Sequence, residues 1–214
     1  MSGRPLIEWT IELALQSRIF AEVIVSTDDQ EIADIAVAAG ASVPFMRPAD
    51  LSHDTASTGS VVAHAVTEMQ HLGFEGDLVC CLYPASIFVN TADLAQSRLL
   101  LEGSTRDYAA TLVRYQHPIQ RALEMDSQHR VTAIDPTGIS QRTQDLKPRW
   151  HDAGQFYWGR TTAWLNQTPV LPNAVGYEIN ASEVQDIDWE DDWRRAELIH
   201  AQRQQALRIS RDDD

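Results

Sequence analysis

Hydrophobic positions near the amino end repeat with a helical period. Leu6, Ile7, Trp9, Thr10, Leu13 and Ala14 fall on one face, which predicts a helix over Pro5–Ser17 with Pro5 at its first position. Glu22-Val23-Ile24-Val25-Ser26-Thr27 is short and β-branched, a predicted strand. Asp28 and Asp29 put negative charge at the positive end of a second helix, which runs through Ile32, Ile35 and Ala36 to a Gly40 stop. Ser42–Phe45 is a brief extended piece, and Met46–Gly59 is a polar loop. Ser60–His71 has helical spacing and stops at Gly73. Asp77–Tyr83 is apolar on both faces, as a central parallel strand should be. Thr91 caps a helix through Leu101 that Gly103 closes, and Tyr108–Tyr115 is the next strand.

The second half is less regular. Gln120–Met125 and Arg130–Ile134 read as antiparallel strands, and Pro136–Trp150 as a long polar loop of a kind that often carries function. Gly154–Trp158 and Glu183–Ile187 are predicted strands, with a short helix at Thr161–Leu165 between them. A last helix runs from Glu190 to about Leu207, followed by a frayed acidic tail, Arg208–Asp214. Strands alternate with helices through the first half. The fold class is therefore α/β: one compact domain over 1–214, a mostly parallel sheet flanked by helices, and a small antiparallel extension.

Charge narrows the function classes. The 214 residues carry 31 acidic and 17 basic side chains, a formal charge of −14. That balance argues against a general nucleic-acid or anionic-membrane binder. No run of ~18 apolar residues predicts a membrane span, and Met1-Ser2-Gly3-Arg4-Pro5 does not read as the start of a signal peptide. Adjacent Cys80 and Cys81 sit in an apolar run and read as core thiols of a reducing cytoplasm.

Candidate chemistry is local. On a strand, Asp186 and Asp188 point to one face and can chelate one hard cation, with Ile187 turned to the core. Taken alone, the same residues read first as an exposed strand end before the acidic helix start Glu190-Asp191-Asp192, since acidic first turns are common. The loop Gln141-Arg142-Thr143-Gln144-Asp145-Leu146-Lys147 offers cations and amides, and Arg142 has the planar fork that suits a carboxylate; a solvated loop has the same composition. Tyr83-Pro84-Ala85-Ser86 follows the apolar strand, where open α/β sheets bind ligands. Arg47 stands at another strand end, as a ligand contact or a surface ion pair. His151 reads as a base or as a partly buried, hydrogen-bonded residue. His64 and His71 lack zinc-ligand spacing.

Several stretches together resemble the cytidylyltransferases that activate nonulosonic acids, the sialic acid group. They are Gly3-Arg4-Pro5-Leu6-Ile7, Val25-Ser26-Thr27-Asp28-Asp29-Gln30-Glu31-Ile32-Ala33, Gly40–Pro48 and Val184-Gln185-Asp186-Ile187-Asp188 with Asp192-Trp193. His117–Leu123 and Asp152-Ala153-Gly154-Gln155-Phe156-Tyr157-Trp158-Gly159 look like the pseudaminic acid branch. The resemblance spans nearly the whole chain. It implies a nucleotide-diphospho-sugar transferase (Rossmann-like) fold. The implied reaction is CTP plus pseudaminic acid, giving CMP-pseudaminic acid and pyrophosphate; sialic acid and an eight-carbon ketosugar acid are the alternative substrates. A third alternative is a catalytically dead sugar- or nucleotide-binding homologue.

By matching position, the resemblance gives Asp186 and Asp188 to Mg²⁺ on the CTP phosphates. It sets Arg142, near Gln144 and ahead of Asp152, on the sugar carboxylate, and Arg47 with the Asp54–Thr58 loop, Ser57 included, near the cytidine. Tyr83, Gln155 and Phe156 would line the sugar pocket, and Asp188 would assist deprotonation of the attacking hydroxyl. The family also implies a homodimer, with the 116–134 strand pair as an arm across the interface. Two departures stand out. The family begins with a central strand and a Gly-, Arg- and Lys-rich phosphate loop, whereas this chain begins with residues that match those after it. That leads us to expect exposed sheet edges and very weak CTP turnover by the chain as it stands. Ala85 and Ile87 replace the family's usual Thr and Pro after Tyr83.

Overall fold

The computed structural model describes the backbone of residues 1–187 and 189–212, and the side chains of these except 183 and 206–212. Its centre is a four-stranded sheet built from β1 (Leu78–Leu82), β2 (Tyr108–Arg114), β5 (Trp150–Arg160) and β6 (Ala174–Glu178), in the order β1-β5-β2-β6. β5 is antiparallel to both β1 and β2, and β2 is parallel to β6, so β1, β2 and β6 share one direction. A separate antiparallel pair, β3 (Leu123–Met125) and β4 (Val131–Ala133), forms the small extension.

Helices cover both faces. On one side α3 (Thr58–His71) and α6 (Thr161–Leu165) pack Val62, Val66, Ala163 and Trp164 onto Tyr108, Ala110 and Tyr157. On the other, α1 (Leu6–Ser17) and α4 (Thr91–Glu102) meet Ala109, Phe156 and Trp158 through Leu13, Leu94 and Leu101. Alternation along β5 explains this division, because successive side chains point to opposite faces. Two core indole N–H groups are satisfied by backbone: Trp158 Nε1 donates to Leu94 O (3.0 Å) and Trp164 Nε1 to Val79 O (3.2 Å). The last helix, α7 (Glu190–Asp212), brings Ala196 and Ile199 against Met1, Leu6, Trp9 and Phe88.

Several elements differ from the sequence expectation. Asp77–Tyr83 yields an edge strand, with β5 antiparallel on its one paired side. Beyond its other side lies an open groove of about 770 Å³ between β1 and Glu22–Ser26, lined by Ile7, Ile11, Val62, Val66 and Cys81 among others. Glu22–Thr27 does not reach strand length for the same reason. It has a partner on one side only, through Val25 N to Ser42 O and Ser42 N to Val23 O (both 2.9 Å). Pro5 is the N-cap of α1 instead of its first residue, and Asn90, not Thr91, caps α4 by a capping box with Asp93. α2 (Gln30–Ala38) is capped by Asp29, whose carboxylate accepts from Glu31 N (2.7 Å) and Ile32 N (3.2 Å). The loop 136–150 contains one short helical segment, α5 (Pro136–Ile139), and a 3₁₀ turn at Thr143–Asp145. β6 lies in a stretch that carried no strand expectation. Glu183–Ile187 is not a strand: a 3₁₀ turn at Ala181–Glu183, capped by Asn180, leads into backbone without regular secondary structure. The final helix continues through the region expected to fray, as far as Asp212.

Candidate active site

The carboxyl ends of β1, β2 and β6 lie together, and the amino-terminal half of β5 crosses the same end. Leu82 pairs with Phe156, Arg114 with Trp150, and Tyr83 N donates to Gln155 O (3.0 Å). Here β5 bulges. Ala110 pairs with Tyr157 while Leu112 pairs with Asp152, which takes Ala153–Phe156 out of the regular ladder with β2. Gly154 makes the bulge possible with φ of +61°.

That glycine also sets a close approach. A Cβ built on it would lie 3.0 Å from Asp186 Oδ2 and 3.4 Å from Asp186 Cγ. The exposed Asp186 carboxylate therefore rests on the bulge. Asp152 stands on the same turn of chain: its Oδ1 accepts from Gly154 N (3.0 Å) and its Oδ2 from the Tyr157 hydroxyl. Tyr83 lies edge-on to Tyr157, with centroids 5.8 Å apart, and its hydroxyl is 2.8 Å from Thr58 Oγ1 at the start of α3. Burial pushes the Tyr83 phenol above its ordinary pKa, and burial followed by the Asp152 carboxylate pushes that of Tyr157 up further. Both stay protonated donors at neutral pH.

Arg47 borders the groove near Tyr83 and Thr58. It forms an ion pair with Asp28 (3.0 Å) and also donates to Ser52 Oγ (3.2 Å) and Ser26 O (3.4 Å). The guanidinium holds the Asp28 carboxyl below its usual range. In the adjoining loop Asp54 is exposed, while Ser57 caps α3 by accepting from Ser60 N (3.1 Å). Arg142 and Gln144 are exposed on the Thr143–Asp145 turn, which Arg121 ties to the loop ahead of β3 through Thr143 Oγ1 (3.2 Å). Gln155 is buried, donating from Nε2 to Ala153 O (3.0 Å). The Phe156 ring is also buried and faces the α1/α4 core instead of open space. His151 Nδ1 sits 2.8 Å from Asp152 O, with the ring against Tyr115. Asp188 lies outside the described residues.

The structure thus brings Tyr83, Asp152, Gln155 and Asp186 to one end of the sheet, with Arg47 on the adjacent rim. Tyr157 and Thr58 join them: sequence reasoning placed Thr58 only as the end of the Asp54–Thr58 loop and gave Tyr157 no role. Tyr157 reads as one more core aromatic, and only its position five residues after Asp152, across a glycine, could have marked it.

The matching family model is Cytidylyltransferase, over residues 1–203. This chain belongs to the cytidylyltransferase family. A pseudaminic acid cytidylyltransferase of Campylobacter jejuni is 37% identical over 201 residues, which are 92% of this chain and 86% of that protein. A Helicobacter pylori protein that joins a pseudaminic acid cytidylyltransferase to a hydrolase is 31% identical over 187 residues, 86% of this chain and 35% of that one. A solved CMP:2-keto-3-deoxy-manno-octonic acid synthetase complexed with CTP shares the fold. Its TM-score is 0.66 at 18% identity, over 94% of this chain and 89% of that one.

Proposed function

We propose that this cytidylyltransferase activates pseudaminic acid, turning CTP and the free sugar into CMP-pseudaminic acid and pyrophosphate. The observation that carries the reading is the 37% identity along 92% of the chain to the Campylobacter enzyme. The placing of Tyr83, Asp152 and Asp186 where α/β sheets bind ligands supports it. In the reaction the anomeric hydroxyl attacks the α-phosphorus. A new P–O bond forms, the bond to the bridging oxygen breaks, pyrophosphate leaves with that electron pair, and the hydroxyl proton passes to a base.

The chain's own work is positioning. Arg47 and the Asp54–Thr58 loop serve the nucleotide, with Arg142 on the sugar carboxylate and Gln144 beside it. Tyr83 and Asp152 shape the sugar side, with the buried Gln155 and Phe156 holding β5 behind them. Asp188 assists proton removal from the attacking hydroxyl. Among the described residues no group of three His, Cys, Asp or Glu side chains could hold a metal ion. One exposed carboxylate on a glycine bulge nevertheless fits Mg²⁺, which takes one or two carboxylates and fills the rest of its shell from phosphates and water. Asp186 would hold it with Asp188, and when bound it offsets charge on the phosphate oxygens and the leaving pyrophosphate.

We further propose a cytoplasmic homodimer. The two unpaired cysteines support the compartment. The 116–134 arm supports the dimer, because its exposed Leu123, Met125, Val131 and Ile134 are large and apolar. The test of function is CTP-dependent pyrophosphate release with pseudaminic acid, N-acetylneuraminic acid and 2-keto-3-deoxy-octonic acid in turn. Release greatest with pseudaminic acid is expected; greater release with either other sugar overturns the reading.

A further inference from the structure

Tyr157 is held as a core residue, yet its polar end is spent on the site. Its ring belongs to the same cluster as Val62 and Val66 of α3 and Trp164 of α6, with Tyr83 edge-on. Only 6% of the residue is exposed, and its hydroxyl donates to Asp152 Oδ2. Asp152 has little else to fix it. The register break between Ala110 and Leu112 adjoins it directly in β5, and among the described residues the bulge glycine supplies the other hydrogen bond to its side chain. A carboxylate in a bulge, gripped at one oxygen by a rigid phenol and at the other by a backbone N–H, has a set direction and spare lone pairs.

We propose that Tyr157 is a positioning residue that orients the Asp152 carboxylate to accept hydrogen bonds from the acidic sugar. This rests on the functional reading above. Phenylalanine at 157 keeps the ring and its packing and removes only the donor.

The experiment is steady-state kinetics of the full chain with CTP and pseudaminic acid for wild type, Tyr157→Phe, Asp152→Asn and the double variant. Thermal unfolding of each accompanies it. A hydrogen bond to a charged group is worth enough that Tyr157→Phe should raise the sugar KM about tenfold or more. The CTP KM should stay within about twofold, because the change acts through Asp152 alone. The double variant should be no worse than Asp152→Asn, since both changes remove one arrangement. An unchanged sugar KM, an equal rise in both KM values, or losses that multiply in the double variant would overturn the proposal. A purely structural tyrosine would lower the unfolding temperature without the split between the two KM values. A wild-type chain that forms no CMP-sugar from any of the acidic sugars overturns the functional reading, and this inference with it.

Discussion

Gly154 does two jobs at once, and one substitution separates the residue scale from everything above it. Its φ of +61° lies in the left-handed region, and a Cβ there would crowd Asp186. Gly154→Ala should cost about 1–2 kcal/mol from backbone strain alone. That corresponds to a few degrees in unfolding temperature for a chain this size. Activity should fall by far more than the lost folded fraction, because Asp186 is pushed off the bulge; equal losses in melting and turnover would contradict this. Arg47 and Asp28 make a pH prediction. The Asp28 pKa is lowered, first by its hydrogen bond to Arg47, so the pair's contribution is present at neutral pH. It is lost as pH falls through that depressed value. Arg47→Ala should raise the Asp28 titration, tracked by NMR, toward the ordinary carboxylate range. Cys80 and Cys81 are pushed up by burial, Cys81 to about 12. Thiol alkylation near pH 8 should therefore be slow in the native protein and fast after unfolding. The sequence marked both as core thiols; both are half-buried and border the groove beside β1. It also marked Arg47 with two open roles, and the ion pair is observed while the groove-side position stands beside it. Residue-level reading failed at Tyr157, because a tyrosine's acceptor is a matter of three-dimensional placement.

At the scale of elements, helices were the more legible. Their period is long, and their ends carry local chemistry such as Asp29 and the Asn90–Asp93 box. Asn90→Ala should lower stability by about 1 kcal/mol in denaturant unfolding, with turnover per folded molecule unchanged. Strands were legible as apolar runs but not as partners. Asp77–Tyr83 and Glu22–Thr27 were both seen, yet which edges they share depends on the rest of the sheet. β6 escaped notice because Ala174-Val175-Gly176-Tyr177-Glu178 is short, and Gly176 interrupts its pattern. The expected strand over Asp186 failed for the opposite reason. Alternating residues were present, but the Asn180 cap turns the chain first, and the backbone beyond that turn pairs with no strand. Asp186 still reaches the carboxyl end of the sheet, because Gly154 in β5, and not a strand face, receives it.

For the whole molecule, the sheet joins its layers through β5, and the arm stands apart as a two-stranded pair with exposed apolar side chains. Such a ribbon is marginal by itself. Met125 and Val131 face each other across it, so Met125→Glu should convert a sedimenting dimer to monomer while the circular dichroism is retained. A wild-type protein that sediments as monomer would contradict the arm's role. The charge of −14 belongs at this scale too. It sets aside polyanionic partners, and the reading that remains is a small anionic sugar met by a few placed groups. The direct test of that reading is a competition. Limiting CTP is offered to the chain with pseudaminic acid, N-acetylneuraminic acid and 2-keto-3-deoxy-octonic acid in equal amounts, and the CMP-sugars are counted by mass spectrometry. CMP-pseudaminic acid should dominate whatever the overall rate; dominance of another CMP-sugar, or none formed at all, would contradict the account.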